Sequence, residues 1–162
     1  MQNSKEQQVW EALQDVMDPE IPTVSMVDLG IITGVNVSDD FVKVDMIPTF
    51  AGCPALRIME DMVREKVKSL GFKQVEVKTS FDIAWTTDRI TEKGKQGLLK
   101  HGLAPPPVSD TFISLEVLSH VNCPYCNSKN TKLTTPFGPT LCRSMHYCNN
   151  CLQAFEQFKP VV

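Results

Sequence analysis

A chain of 162 residues with 42% hydrophobic and 22% charged side chains has the makeup of an ordinary soluble protein, with room for one mid-sized domain or a smaller one plus an appended module. No apolar run approaches the ~20 residues needed to cross a bilayer, and residues 1–6 (MQNSKE) carry no signal-peptide core, so a cytoplasmic protein with no membrane contact is expected. The net charge of −3 is uneven: residues 119–162 hold Lys129, Lys132, Arg143 and Lys159 against Glu156, leaving −6 for the remainder. Four metal-bound thiolates would bring that tail to about +1, a weak field for gripping a phosphate backbone, which argues against a nucleic-acid partner.

The first helix is expected to open at Ser4, where Gln7 completes a capping-box pattern, and to carry Val9, Trp10, Leu13, Val16 and Met17 as one apolar stripe. Pro19 disfavours helical geometry at Asp18, so the helix should end there and Asp18-Pro19-Glu20-Ile21-Pro22 should form a stiff turn. Strands follow over 31–37 and 41–47, joined as a hairpin across Asp39-Asp40. A second helix opens at Pro54, a favoured first-turn residue, and runs to Leu70, with Leu56, Met59, Val63, Val67 and Leu70 as its stripe and Gly71 as its stop. Residues 73–81 alternate Val75, Val77 and Thr79 against Gln74, Glu76 and Lys78, an amphipathic third strand. The order α-β-β-α-β gives an α+β fold, with helices packed on one face of a small mixed sheet.

A further helix is expected over 88–101, capped by Asp88 and ended by Gly102, its regularity reduced by Gly94 and Gly97. Pro105-Pro106-Pro107 reads as a linker and 111–118 as a strand. The expected division is thus 1–104 as an N-terminal domain with a helical extension, 105–118 as linker and strand, and 119–162 as a cysteine module. Trp10 and Trp85 read as core aromatics.

Four of the six cysteines fall in two Cys-x-x-Cys pairs, Cys123-Pro124-Tyr125-Cys126 and Cys148-Asn149-Asn150-Cys151, separated by 21 residues. In a reducing compartment such pairs mean metal rather than disulfide, and two knuckles can turn four thiolates toward one tetrahedral ion. The expected ribbon strands are 131–135, 141–147 and 154–158. Zinc is the default for a closed four-thiolate site, and iron suits the same geometry. A closed site has no open coordination position, so its role is structural. Cys142, His146 and His120 stand near enough in sequence to replace a ligand. The simpler reading makes Cys142 a small buried residue on a ribbon strand and leaves His146 facing solvent.

Cys53 stands apart. Thr49-Phe50-Ala51-Gly52-Cys53-Pro54 links the second strand to the second helix, placing the thiol at or next to the helix N-cap. Unpaired N–H groups and the positive end of the helix dipole favour a thiolate there. A reactive or metal-ligating sulfur and a small apolar loop residue both satisfy this placement. One cysteine cannot fill the four protein positions of an iron–sulfur cluster, so any cluster here must be completed by a second chain or by small-molecule thiols, and would be labile and transferable. Asp18, Glu20 and Asp28 form an acidic cluster before the first strand, as acids or metal ligands on one reading and as turn and cap residues on the other. No histidine stands near Cys53 in sequence to act as its base, which counts against a thiol enzyme.

Taken together, Asp18-Pro19-Glu20-Ile21-Pro22, Val27-Asp28-Leu29-Gly30 and Gly52-Cys53-Pro54 resemble the domain shared by SufT and MIP-type iron–sulfur assembly proteins, over roughly residues 5–82. Trp85-Thr86-Thr87-Asp88-Arg89-Ile90-Thr91, Gly102-Leu103-Ala104-Pro105-Pro106, Cys123-Pro124-Tyr125-Cys126 and Phe137-Gly138 are similar to the PaaD (PaaJ) family, small subunits encoded with the phenylacetyl-CoA oxygenase (epoxidase) of aerobic phenylacetate degradation. Arg89 stands where that pattern often has an aromatic. The resemblance implies a non-catalytic factor that assembles or delivers an iron–sulfur or iron centre, with the oxygenase subunits as clients. It makes Cys53 the ligand of a transient cluster, with Asp18, Glu20 and Thr49 as neighbours, and a cluster-sharing homodimer one arrangement. It makes Cys123, Cys126, Cys148 and Cys151 the ligands of a zinc ribbon. Two other readings stand beside it: a ribbon protein that docks onto the oxygenase without carrying a cluster, and a Cys53 thiol enzyme.

Overall fold

The computed structural model describes residues 2–107 and 115–160. It falls into two compact units, Met1–Trp85 with Arg89–Gly94 and Thr86–Asp88 with Lys95–Val162.

In the first unit α1 (Gln2–Leu13), β1 (Ile32–Ser38), β2 (Phe41–Met46), α2 (Leu56–Lys68) and β3 (Gln74–Thr79) follow in the expected order. β2 lies between β1, which pairs with it antiparallel, and β3, which pairs with it parallel. Alternation along β2 buries Val42, Val44 and Met46 and leaves Phe41, Lys43 and Asp45 half-exposed, the signature of a sheet covered on one face. Val9 and Leu13 of α1 and Met59, Val63 and Val67 of α2 join this core. Trp85 is buried and donates its indole N–H to the Leu29 carbonyl at 2.8 Å, whereas Trp10 is only half-buried.

Helix ends depart from the sequence expectation for local reasons. Ser4 lies inside α1 rather than at its cap. The helix stops at Leu13, four residues before the chain reaches Met17, because the N–H groups of Asp15 and Val16 bond back three residues to Ala12 and Leu13. Residues 16–18 then pair with 24–26, through Met26 N–H to the Val16 carbonyl and Asp18 N–H to the Val24 carbonyl, so Val16 and Met17 belong to a loop and not to the stripe. α2 opens at Leu56 rather than Pro54, and of its expected stripe Leu56 is half-buried and Leu70 exposed.

The expected helix over 88–101 is divided. A 3₁₀ turn (Thr87–Arg89) precedes α3 (Glu92–Lys100), and the cap is Thr91, whose Oγ1 accepts the Gly94 N–H at 3.0 Å. Thr91 is itself held by Asp28. Its hydroxyl donates to Asp28 Oδ1 at 2.8 Å and its N–H to the Asp28 carbonyl at 2.9 Å, while Ser25 Oγ donates to Oδ2 at 2.8 Å. Asp28 is 6% exposed, and Lys93 lies 3.5 Å from Oδ2. The carboxylate thus clips the loop before β1 to the chain after Trp85.

Two glycines make that clip sterically feasible. A Cβ on Gly94 would sit 2.7 Å from the Asp28 carbonyl, and one on Gly30, whose φ is +70°, would strike Arg89 Cβ and lie 2.7 Å from the Arg89 carbonyl. Gly30→Ala is therefore expected to lower the unfolding free energy by about 3 kcal/mol, combining left-handed strain with overpacking. A urea midpoint unchanged by the substitution would show that residues 89–91 yield instead.

In the second unit β4 (Leu103–Ala104), α4 (Leu115–Ser119), β5 (Thr131–Thr135), β6 (Arg143–Cys148) and β7 (Ala154–Phe158) build a sheet of order β4-β7-β6-β5, with α4 outside it. β4 pairs parallel with β7, so residues 103–104 belong to the ribbon sheet rather than to the N-terminal domain. Residues 115–118 of the expected strand are helical, and 111–114 lie outside the described residues. Among the described residues no helix is long and apolar enough to cross a membrane.

Candidate functional site

The two Cys-x-x-Cys segments fold into matching turns. Cys123 N–H bonds to the Ser128 carbonyl at 3.0 Å, and Cys148 N–H bonds to the Gln153 carbonyl at 2.9 Å, the same five-residue offset in each. In each the residue after the second cysteine is left-handed, Asn127 at φ +58° and Leu152 at φ +61°. Asparagine adopts that conformation readily. Leucine does not, and Leu152 is also 69% exposed. That Asn127 would turn left-handed was readable from its type; Leu152 gave no such signal.

These turns bring four sulfurs together. Cys123 Sγ lies 3.7 Å from Cys151 Sγ and Cys126 Sγ 3.6 Å from Cys148 Sγ, and all four lie within 4.8 Å of one another. Four thiolates at ~2.3 Å from a tetrahedral ion have edges of ~3.8 Å, so the donor set fits a metal of that kind. Without a cation the sulfurs are inequivalent. The Ser128 N–H and the Asn150 amide pull Cys126 down to about 6, while burial and the neighbouring thiols push Cys151 up to about 12. The Asn150 amide, 3.6 Å from Cys126 Sγ, is a partner that spacing alone does not reveal.

The nearby alternatives stand outside this set. His146 is fully buried, contrary to the expectation that it faces solvent: Nε2 lies 2.9 Å from Ser144 Oγ and the ring stacks on Phe155 at 5.2 Å. Burial holds it down at about 4, a neutral core histidine. Cys142 is half-buried just ahead of β6, with its sulfur 3.1 Å from Thr140 Oγ1. His120 is exposed, its Nδ1 3.1 Å from the Glu116 carbonyl.

In the first unit Cys53 is half-buried on the loop between β2 and α2. Its N–H bonds to the Phe50 carbonyl and its own carbonyl accepts the Leu56 N–H, each at 3.3 Å. Ala55 is the helix cap, so Cys53 sits two residues before it rather than at or beside it. Thr49 is half-buried on the same loop. Asp18 and Glu20 lie on the loop after α1, where Asp18 Oδ1 accepts the N–H groups of Glu20 at 2.8 Å and Ile21 at 2.9 Å. Asp18 is 9% exposed, and Glu20 faces solvent.

Residues 6–79 match the family described as iron-sulfur cluster assembly protein, and residues 109–159 match the PaaD zinc beta ribbon domain. A protein from Escherichia coli (strain K12), named as a subunit of a 1,2-phenylacetyl-CoA epoxidase, is 34% identical over 95% of this chain and 92% of its own. An Fe-S protein maturation auxiliary factor from Porphyromonas gingivalis (strain ATCC BAA-308 / W83) is 40% identical over 54% of this chain and 85% of its own. Among solved structures, a DUF59 domain from Bacillus anthracis superposes with a TM-score of 0.56 at 24% identity, covering 60% of this chain and 93% of that one, a likeness of fold.

Proposed function

Because the chain belongs to the PaaD family, and its Escherichia coli relative is named as a subunit of a 1,2-phenylacetyl-CoA epoxidase, we propose that it is an accessory factor that assembles or delivers an iron–sulfur centre to that multicomponent oxygenase and turns over no substrate itself. The observation that carries this reading is the pairing, on one chain, of an assembly-type domain bearing a single loop cysteine with a ribbon whose four sulfurs all converge on one point.

The cluster is cargo. Cys53 supplies one thiolate, and the remaining positions fall to a second copy of the chain or to small-molecule thiols, so few bonds must be exchanged on delivery. Asp18, Glu20 and Thr49 are proposed as its neighbours. In the ribbon, Cys123, Cys126, Cys148 and Cys151 would hold zinc, with iron the alternative, and four thiolates leave no position for substrate. Thiols kept reduced in this way suit the cytoplasm. A second reading, that the ribbon docks onto oxygenase subunits without the chain carrying a cluster, is favoured by the exposed Tyr125 and Leu152 on the two knuckles.

The test is maturation of the client. Oxygenase subunits produced without this chain are expected to contain several-fold less iron and sulfide, with activity lost in proportion. Equal iron and sulfide content with and without the chain would sink the proposal.

A further inference from the structure

We infer that the ribbon metal is reached from solvent at Cys126, and that Asn150 is a positioning residue that keeps that sulfur on the ion and so sets how fast the metal leaves. This rests on the ribbon as a metal site, as proposed above, and gives unequal roles to ligands that a closed tetrahedral set would make alike.

The four sulfurs differ in what surrounds them. Cys123 is 2% and Cys148 0% exposed, Cys151 is half-buried, and Cys126 is exposed. The two buried cysteines also belong to the apolar cluster that holds Val121 and Phe155. A thiolate released there would be an unpaired charge out of reach of water. At Cys126 a released thiolate is hydrated where it stands. Ligand exchange therefore starts at Cys126: its bond to the ion opens, one bond to an incoming donor forms in its place, and no oxidation state changes.

The restraint on that opening comes from the second knuckle, whose two inner residues both reach across to the first. Asn149 donates its N–H to the Asn130 carbonyl at 2.9 Å and its side-chain amide to Asn130 Oδ1 at 3.1 Å, which ties down the tip of the knuckle. Asn150 Nδ2 then donates to Cys126 Sγ at 3.6 Å, a hydrogen-bond distance for an atom as large as sulfur. It adds a side-chain donor to the main-chain one that Cys126 has in the Ser128 N–H. Cys148 Sγ, by contrast, takes the Cys151 N–H at 3.5 Å, a main-chain donor that side-chain changes leave in place. A donor aimed at a ligand thiolate favours its charged, bound form and fixes its direction. Both asparagines are exposed, so nothing in the core requires them. Aspartate at position 150, alike in shape, would turn that donor into an anion facing the thiolate.

The test uses the full-length chain loaded with zinc. Release of the metal to a chromogenic chelator is timed, and a limiting dose of maleimide is mapped by fragment mass spectrometry, with Cys53 and Cys142 counted apart. Bound thiolates are labelled as they open, so the order of labelling reports the order of opening. Wild type is expected to be labelled first at Cys126 and last at Cys123 and Cys148. Asn150→Ala should speed release about ten-fold, and Asn150→Asp further still, each with unchanged circular dichroism of the loaded protein. Release from either variant at the wild-type rate would overturn the inference, as would first labelling at Cys123, Cys148 or Cys151. A wild type that takes up no metal would instead remove the ribbon site on which the inference stands.

Discussion

Stripping the ribbon with a strong chelator, or replacing Cys148 with serine, is expected to unfold residues 119–160 while the α-β-β-α-β unit keeps its structure. The apolar cluster at the centre of the ribbon consists of Ala104, Val121, Cys123, Cys148 and Phe155, with Cys151 against it. The sulfurs are therefore much of that cluster, and a segment this short builds only a small core around them. Structural zinc contributes about 10–16 kcal/mol to folding such modules. Cys148 is fully buried, so serine there removes a thiolate and leaves a hydroxyl without solvent. Amide NMR dispersion and protease resistance, read beside metal content, check the outcome. A ribbon that stays protected after losing its metal would mean that its sheet suffices.

Cys53→Ser is expected to do the opposite: leave the fold intact and remove the cargo. The side chain is half-buried on a loop, and a near-isosteric change at such a site costs under about 1 kcal/mol. Anaerobic reconstitution of wild type should give a brown protein with sulfide-to-iron charge-transfer absorption, and the variant should lose nearly all of it while retaining the ribbon metal. If the colour survives in Cys53→Ser, the iron sits on the C-terminal sulfurs instead. Metal and sulfide analysis of both proteins separates the two sites.

The element order of the first unit was legible because helical and alternating patterns differ in period, and the stripe Met59, Val63, Val67 could belong only to a helix. The cysteine module was legible because the paired spacing fixes both knuckles. What escaped the sequence depended on partners remote along the chain. Asp28 reaches Thr91, 63 residues away, and that bond moves the helix cap from Asp88 to Thr91. Gly94 reads as a weak helix former, yet it is required because the Asp28 carbonyl passes close by. His146 looked like a surface residue because nothing near it in sequence announces Ser144 and Phe155 as its surroundings. The two residues of β4 are too few to carry any period.

That short strand bears on how the module can be handled. Leu103 pairs with Glu156 and Ala104 with Gln157, so β4 covers the outer side of β7. A fragment cut to the matched ribbon, residues 109–159, would keep all four sulfurs and lose this cover. β7 would then present open N–H and C=O groups beside the uncovered flank of Phe155 and Phe158, a template for strand addition by another molecule. Two residues on the far side of the triple proline thus act as a guard against aggregation, and the smallest well-behaved ribbon begins before residue 103.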